Sequence, residues 1–318
     1  MNPLHNIIKP FIKNINKYPN INIKDIKSDS TKVKKGDLFI AIPGKKFDGH
    51  DFINQAINSG ASAIISNGRD LGQLPVPQIK VKNPRIAVSK IAAQFYGNPS
   101  KNLKIIGITG TNGKTTTACL ITSIIKEAGF KVAQIGTLGT IAQGLKTKKT
   151  LTTPDPIELH KTFSILKENK FSHVVMEVSS HALDQHRVDN IEFNLGIFTN
   201  LTEEHLDYHH SLESYYLAKL RLFKMLSSSS QSIINISSDY GKKIRKASNC
   251  TSTTFSNSTK SDIYFKNLKT SLSGINGTIL TKTKSYKINS NLIGKFNSEN
   301  ILAAVSTAHI LGIKKRTI

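Results

Sequence analysis

Tryptophan is absent from this 318-residue chain, and cysteine occurs twice, as Cys119 and Cys250. Two cysteines cannot build a disulfide framework or a zinc cage, so the chain suits a reducing compartment. No apolar run approaches the roughly 18 residues a membrane-spanning helix needs. The start, Met1-Asn2-Pro3-Leu4-His5, lacks the charged head and apolar core of a secretion signal. These absences predict a soluble cytoplasmic protein with no membrane span. Acidic residues are also scarce, 21 Asp and Glu against 44 Lys and Arg, for a net charge of +23. That excess invites a nucleic-acid reading. Arginine, the better fork for phosphates and base edges, supplies only six of the 44 cations. The lysines are scattered among Asn and Ile, so the expectation is a lysine-rich background with anionic ligands and no nucleic-acid face.

What the chain does have is regular patterning. At roughly 100–200 residues per domain its length suggests about two domains. Before residue 100 there are strand-like stretches at 37–42 and 61–65 and helical ones at 52–59 and 87–96, closed by Gly97-Asn98-Pro99. This predicts a small N-terminal α/β domain over 1–99. Beyond it, apolar strands at 104–109, 131–135, 173–178, 193–199 and 233–236 alternate with helices at 115–128, 156–169 and 212–226. That alternation predicts a doubly wound, mostly parallel sheet over 100–318. Residues 251–292 read as hairpins at a sheet edge, and 298–311 as a last helix.

The strongest local signal is Gly107-Ile108-Thr109-Gly110-Thr111-Asn112-Gly113-Lys114-Thr115-Thr116-Thr117, after an apolar strand and at the start of a helix. Glycines there let backbone N–H groups approach phosphate oxygens, Lys114 can reach the β/γ-phosphates, and the Thr115 hydroxyl can ligate Mg²⁺. The spacing is not the strict Walker A pattern. Glu177, closing the strand that starts at His173, is a candidate second metal ligand or a carboxylate capping a turn. The cluster Glu203-Glu204-His205-Leu206-Asp207-Tyr208-His209-His210 is a candidate metal site or an ordinary polar surface.

These residues together resemble the Mur ligases, ATP-dependent amide-forming enzymes of peptidoglycan synthesis. Gly110–Thr117 is similar to the family's phosphate loop. Further matches follow in family order: Glu177-Val178-Ser179-Ser180-His181, Thr199-Asn200-Leu201-Thr202, His205-Leu206-Asp207-Tyr208-His209, Tyr216-Leu217-Ala218-Lys219 with Leu222-Phe223, and Gly294-Lys295-Phe296-Asn297 with Asn300. Thr152-Thr153-Pro154 and Gln185-His186-Arg187 resemble the MurE type, which adds the third amino acid to UDP-MurNAc-L-Ala-D-Glu. Asp29-Ser30 and 36–41 resemble its UDP-binding region. Glu204 stands where the family usually has Asp, and Leu151 where it often has Asn.

The resemblance implies an N-terminal UDP-precursor-binding domain and a central P-loop-type ATPase domain. It implies a ligase that uses ATP and Mg²⁺ to form an acyl phosphate, which meso-diaminopimelate or L-lysine then attacks. ATP would meet Gly110, Thr111, Asn112, Gly113, Lys114, Thr115 and Thr116, with Asn297 and Asn300 on the adenine. Thr115 and Glu177 would hold one Mg²⁺. His205 and Lys219, carrying a CO₂-derived carbamate, would serve a second. From the residues alone Lys219 is a solvated helix lysine. Ser28, Ser30, Lys45, Lys46 and Phe47 would meet the UDP part, or form a solvated hairpin. Thr152, Thr153, Ser179, Gln185 and Arg187 would hold the muramoyl dipeptide, the last two otherwise lying in a polar loop; Asn297 could instead cap a helix. A monomer is expected. A C-terminal acceptor-binding domain of the family is expected to be absent. A folylpolyglutamate- or cyanophycin-synthetase-like ligase, an inactive nucleotide-binding fragment and a nucleic-acid-binding NTPase are the alternatives.

Overall fold

The computed structural model describes residues 2–44, 47–147 and 151–318. Two compact units divide the chain. The first holds Met1–Pro99 with Asp155–Ile165 and Gln185–Ile191; the second holds Ser100–Pro154, Leu166–Asp184 and Glu192–Ile318. Two short segments from beyond residue 100 therefore join the first unit, which contiguous reading of the sequence assigns to the second.

In the first unit a short pair, β1 (Asn2–Pro3) and β2 (Asn22–Ile23), precedes a four-stranded parallel sheet. Its strands are β3 (Ile26–Lys27), β4 (Leu38–Ile40), β5 (Ala63–Ser66) and β6 (Gln78–Lys80), in sequence order. Helices α1 (Leu4–Ile8), α2 (Ile53–Asn58) and α3 (Pro84–Phe95) accompany it. One core joins Leu4, Ile7 and Ile8 of α1 to Leu38, Ile40, Ala63 and Ile65 of the sheet and to Val88, Ile91 and Ala92 of α3. α3 starts three residues before the apolar pattern shows it. Asn83 caps it by accepting from the N–H groups of Arg85 and Ile86, and Pro84 suits its first turn.

The second unit is built on a seven-stranded sheet ordered β13-β12-β11-β7-β10-β8-β9. These are β7 (Lys104–Thr109), β8 (Val132–Gly136), β9 (Gly139–Ala142), β10 (His173–Glu177), β11 (Leu195–Phe198), β12 (Gln231–Asn235) and β13 (Thr251–Phe255). Every pair is parallel except β8–β9. Around it run α4 (Lys114–Glu127), α6 (Ser180–Asp184), α7 (Leu206–His209), α8 (Leu212–Met225), α9 (Asp239–Ala247) and α10 (Phe296–Ile310), while α5 (Pro156–Glu168) belongs to the first unit as far as Ile165. The 251–292 region differs from the expected edge hairpins. Its first strand, β13, pairs in parallel with β12, and β14 (Tyr264–Ser271), β15 (Gly274–Leu280) and β16 (Ser285–Ser290) form a separate antiparallel meander. The Ser/Thr-rich text of β13 hides a parallel strand, because its Thr254 and Phe255 are buried while its start stays exposed.

This topology selects the site. β7 lies at the centre, and successive crossovers leave it toward β8 and β10 on one side and β11 and β12 on the other. The order reverses at the carboxyl end of β7, where an open α/β sheet leaves a crevice.

Candidate active site

The segment after β7 occupies that crevice. Gly110 has φ +151°, and a Cβ there would lie 1.9 Å from Thr199 Oγ1. Gly113 caps α4 at φ +84°, and a Cβ there would lie 2.2 Å from Asn300 Oδ1. Both close approaches require glycine. The loop is clamped from the end of β11. The Thr111 N–H donates to Asn200 O at 2.9 Å, the Asn112 N–H to Asn200 Oδ1 at 2.8 Å, and Thr199 Oγ1 to Asn112 O at 2.7 Å. Asn235 of β12 donates to Thr199 O and to Glu299, tying the clamp to α10. Thr199, Asn200 and Thr202 belong to a run that resembles the family, but their residue types alone assign them no role. Only their place beside β7 shows their work.

Lys114 folds back on the loop, donating to Gly110 O at 2.9 Å and Thr111 O at 2.7 Å. Burial holds its amine below the usual lysine range, against the pull of Glu177 and Glu204. Thr115 Oγ1 donates to Glu177 Oε2 at 2.9 Å. Register explains the meeting: Glu177 pairs with Ile108 at the end of β10, beside the strand that delivers the loop. Thr137, which sequence reasoning missed, donates its N–H to Glu177 Oε1 at 3.0 Å and its hydroxyl to Oε2 at 3.2 Å. Glu177 thus braces the turn between β8 and β9 while facing α4.

Lys219 is not a solvated lysine. It lies on α8 with 1% of its surface exposed, its Nζ 4.0 Å from the centroid of the Tyr215 ring. Burial, then repulsion from Lys114, pushes its amine well below the usual lysine range. The charge-favouring ring is a smaller influence than loss of water. His205 stands in the left-handed region at φ +57°, its ring 5.0 Å from His181 and 6.1 Å from Tyr215. The acidic and imidazole groups of 203–210 do not converge as a cage. Single-turn α7 sends His209 to Ser180 Oγ at 2.9 Å and Tyr208 to Asp184 at 2.8 Å. Among the described residues no group of three or more His, Cys, Asp and Glu is arranged to hold a metal.

Thr153 Oγ1 donates to Glu177 O at 2.9 Å and accepts from the Ser179 N–H at 3.0 Å, while Thr152 approaches Thr137 at 3.4 Å between hydroxyl oxygens. Thr152, Thr153 and Ser179 are therefore one cluster at the mouth of the crevice. Gln185 and Arg187 belong to the first unit, with the guanidinium donating to Gln185 Oε1 at 2.7 Å. Asn297 is not the cap of α10, a position Lys295 fills without a side-chain bond. It is buried, donates to Ile293 O and accepts from Asn300, whose Oδ1 accepts from Thr117. Thr116 stands in the first turn of α4.

In the first unit a cavity of about 440 Å³ is lined by Ser28, Asp29, Ser30, Phe47 and Phe52 among others. Ser28 leaves β3 and Ser30 opens a 3-10 turn capped by Asp29, whereas Pro43 and Asp48, flanking Phe47, pair in an isolated antiparallel bridge. Ser30 donates to Gln55 at 2.8 Å, and Phe47 is 72% exposed. Lys45 and Lys46 lie outside the described residues.

Residues 108–308 match the Mur ligase middle domain, and residues 22–96 match the catalytic domain described for the Mur ligase family. A UDP-N-acetylmuramoyl-L-alanyl-D-glutamate–2,6-diaminopimelate ligase of Clostridium tetani is 42% identical over 94% of this chain and 61% of its own length. A ligase of the same name from Aquifex aeolicus is 42% identical over 92% and 60%. The chain therefore spans about three-fifths of the length of these relatives. A solved structure carrying the same ligase name superposes with TM-score 0.86 at 27% identity, covering 100% of this chain and 65% of that one. The ADP-bound MurF ligase of Thermotoga maritima shares the fold, with TM-score 0.64 at 21% identity over 92% and 65%. No described helix is long and apolar enough to cross a membrane. By the match that runs through the phosphate loop, Glu177, Lys219 and α10, the chain belongs to the Mur ligase family.

Proposed function

We propose that this chain carries the ATP- and precursor-binding parts of a ligase that joins a diamino acid to the D-glutamate side chain of UDP-MurNAc-L-Ala-D-Glu. The observation that carries the reading is the Thr115–Glu177 pair, 2.9 Å apart at the end of a clamped phosphate loop, with Lys219 buried on α8 of the same unit. The relatives named as diaminopimelate ligases favour diaminopimelate over lysine as the acceptor.

The reaction brings two anions together. A carboxylate oxygen of the precursor attacks the γ-phosphorus, the bond to ADP breaks, and an acyl phosphate forms. The acceptor amine then attacks the acyl carbon, loses a proton, and expels phosphate to leave an amide. Lys114 lies where it can exchange its loop-carbonyl bonds for phosphate oxygens. Backbone N–H groups at the start of α4 favour the same anion. The Thr115 hydroxyl and Glu177 carboxylate are hard oxygen donors that suit Mg²⁺, which needs few protein ligands beside phosphate and water. Bound there, Mg²⁺ would supply charge neutralisation at the transferring phosphoryl group. Lys219, with its amine held toward the neutral form, suits reaction with CO₂. An N–C bond forms, a proton leaves, and the resulting carbamate, with His205, would serve a second ion. Asn297 and Asn300 are assigned to the adenine side. Ser28, Ser30, Phe47, Thr152, Thr153, Ser179, Gln185 and Arg187 are assigned to the precursor. The setting is cytoplasmic.

Calorimetric titration with MgADP and with the UDP-muramoyl dipeptide tests the reading. Both are expected to bind, the second at micromolar concentration. Binding of MgADP with no detectable binding of the dipeptide would overturn the precursor assignment. Phosphate release with precursor, ATP and diaminopimelate or lysine in turn identifies the acceptor.

A further inference from the structure

Tyr215 is among the largest fully buried side chains of the described residues, and it meets Thr111, Lys219, His205 and His209 of the candidate site. It precedes Lys219 by four residues on α8, so the two share a helix face. Helical side chains lean toward the N-terminus, which lays the lysine stem back over the tyrosine ring. The ring is fixed from several sides. Its hydroxyl lies 3.2 Å from Thr111 Oγ1 of the phosphate loop, and that same oxygen accepts from the Thr202 N–H at 3.0 Å. The His209 ring sits 5.0 Å away at 34°, and the His205 ring 6.1 Å away at 82°. Lys219 has no hydrogen-bond or ion-pair partner among the described residues, and its amine stands over the Tyr215 ring.

We infer that Tyr215 is a positioning residue: its ring fixes where the Lys219 amine stands, and its hydroxyl registers that place to the phosphate loop through Thr111. A free lysine stem samples many rotamers, and an amine that must sit at one point relative to ATP needs such a wall. The inference deepens the reading of Lys219 as the carbamate-bearing lysine and rests on it only for the carbamate.

Two measurements on the 318-residue chain test it. The first is the rate of reductive methylation of Lys219, followed by mass spectrometry against the exposed lysines. Lys219 is expected to be protected. Tyr215→Phe keeps the ring and removes the lock, and should raise the rate by about fivefold, the factor one neutral hydrogen bond is worth. Tyr215→Leu should raise it about tenfold or more. The second is the carbamate carbon resonance in ¹³C-bicarbonate, expected in the native chain, absent in Lys219→Arg, reduced in Tyr215→Leu and largely restored with Phe at 215. A merely structural tyrosine would not link the resonance to ring and hydroxyl separately. Lys219 protection unchanged in Tyr215→Phe overturns the hydroxyl lock. Unchanged protection in a folded Tyr215→Leu overturns the whole inference. Absence of the resonance from the native chain overturns the carbamate reading instead, while the methylation rates still decide the positioning.

Discussion

Glu177 has hydrogen bonds on both carboxylate oxygens, from Thr115 and from two atoms of Thr137. Substituting Ala would remove, at a fully buried position, the charged acceptor of the Thr115 and Thr137 bonds, a cost of about 1–3 kcal/mol that a thermal melt reads directly. Glu177→Gln keeps the shape and an acceptor oxygen, so the melt should stay close to native. Mg²⁺-dependent ADP binding should nonetheless fall about tenfold or more, since the charge is gone. Equal loss of binding with and without Mg²⁺ would count against the metal role. His160 makes a different point. It is fully buried, neither ring nitrogen has a hydrogen-bond partner among the described residues, and burial pushes it down to about 4. The unfolded chain, with an ordinary histidine near 6.5, takes up the proton first as pH falls. Stability is therefore full above about 6.5 and drains toward 4, with about 2 kcal/mol gone at pH 5. His160→Leu should flatten that acid limb, and melts at pH 7.5 and pH 5 compare the two.

At the scale of elements, the loop from Gly110 to Gly113 works because three strand ends surround it. Gly113→Ala would add both a strained positive φ and a contact with Asn300, destabilising by about 1–3 kcal/mol and weakening ADP binding. A melt and a titration measure the two effects, and a native-like variant would mean the loop adjusts freely. The loop was legible in sequence because strand, glycines, lysine and helix are contiguous there. Glu177 was legible because it ends an apolar strand. Thr137 and Tyr215 were not, since ordinary residue types reveal nothing until the fold sets them beside the loop. The same holds for β13, whose parallel pairing depends on a neighbour rather than on its own alternation.

At the scale of the molecule, two units with separate cores should unfold in two calorimetric transitions. MgADP at about 100 times its Kd should raise only the transition of the second unit, by about 2.7 kcal/mol of stability. A single transition, or a shift of both, would show that the units unfold together. The +23 charge belongs to the same scale, and the crevice needs little of it: Lys114 and the α4 N-terminus face the phosphate position. By itself the sequence determined the alternating β and α elements, the phosphate loop and the family, because period, glycine spacing and contiguous motifs are local properties of a chain. Tertiary structure decided which unit Gln185 and Arg187 join, that Lys219 is dry, and that Tyr215 and Thr137 stand at the site. Burial and electrostatics depend on what is packed alongside, and no local pattern records that.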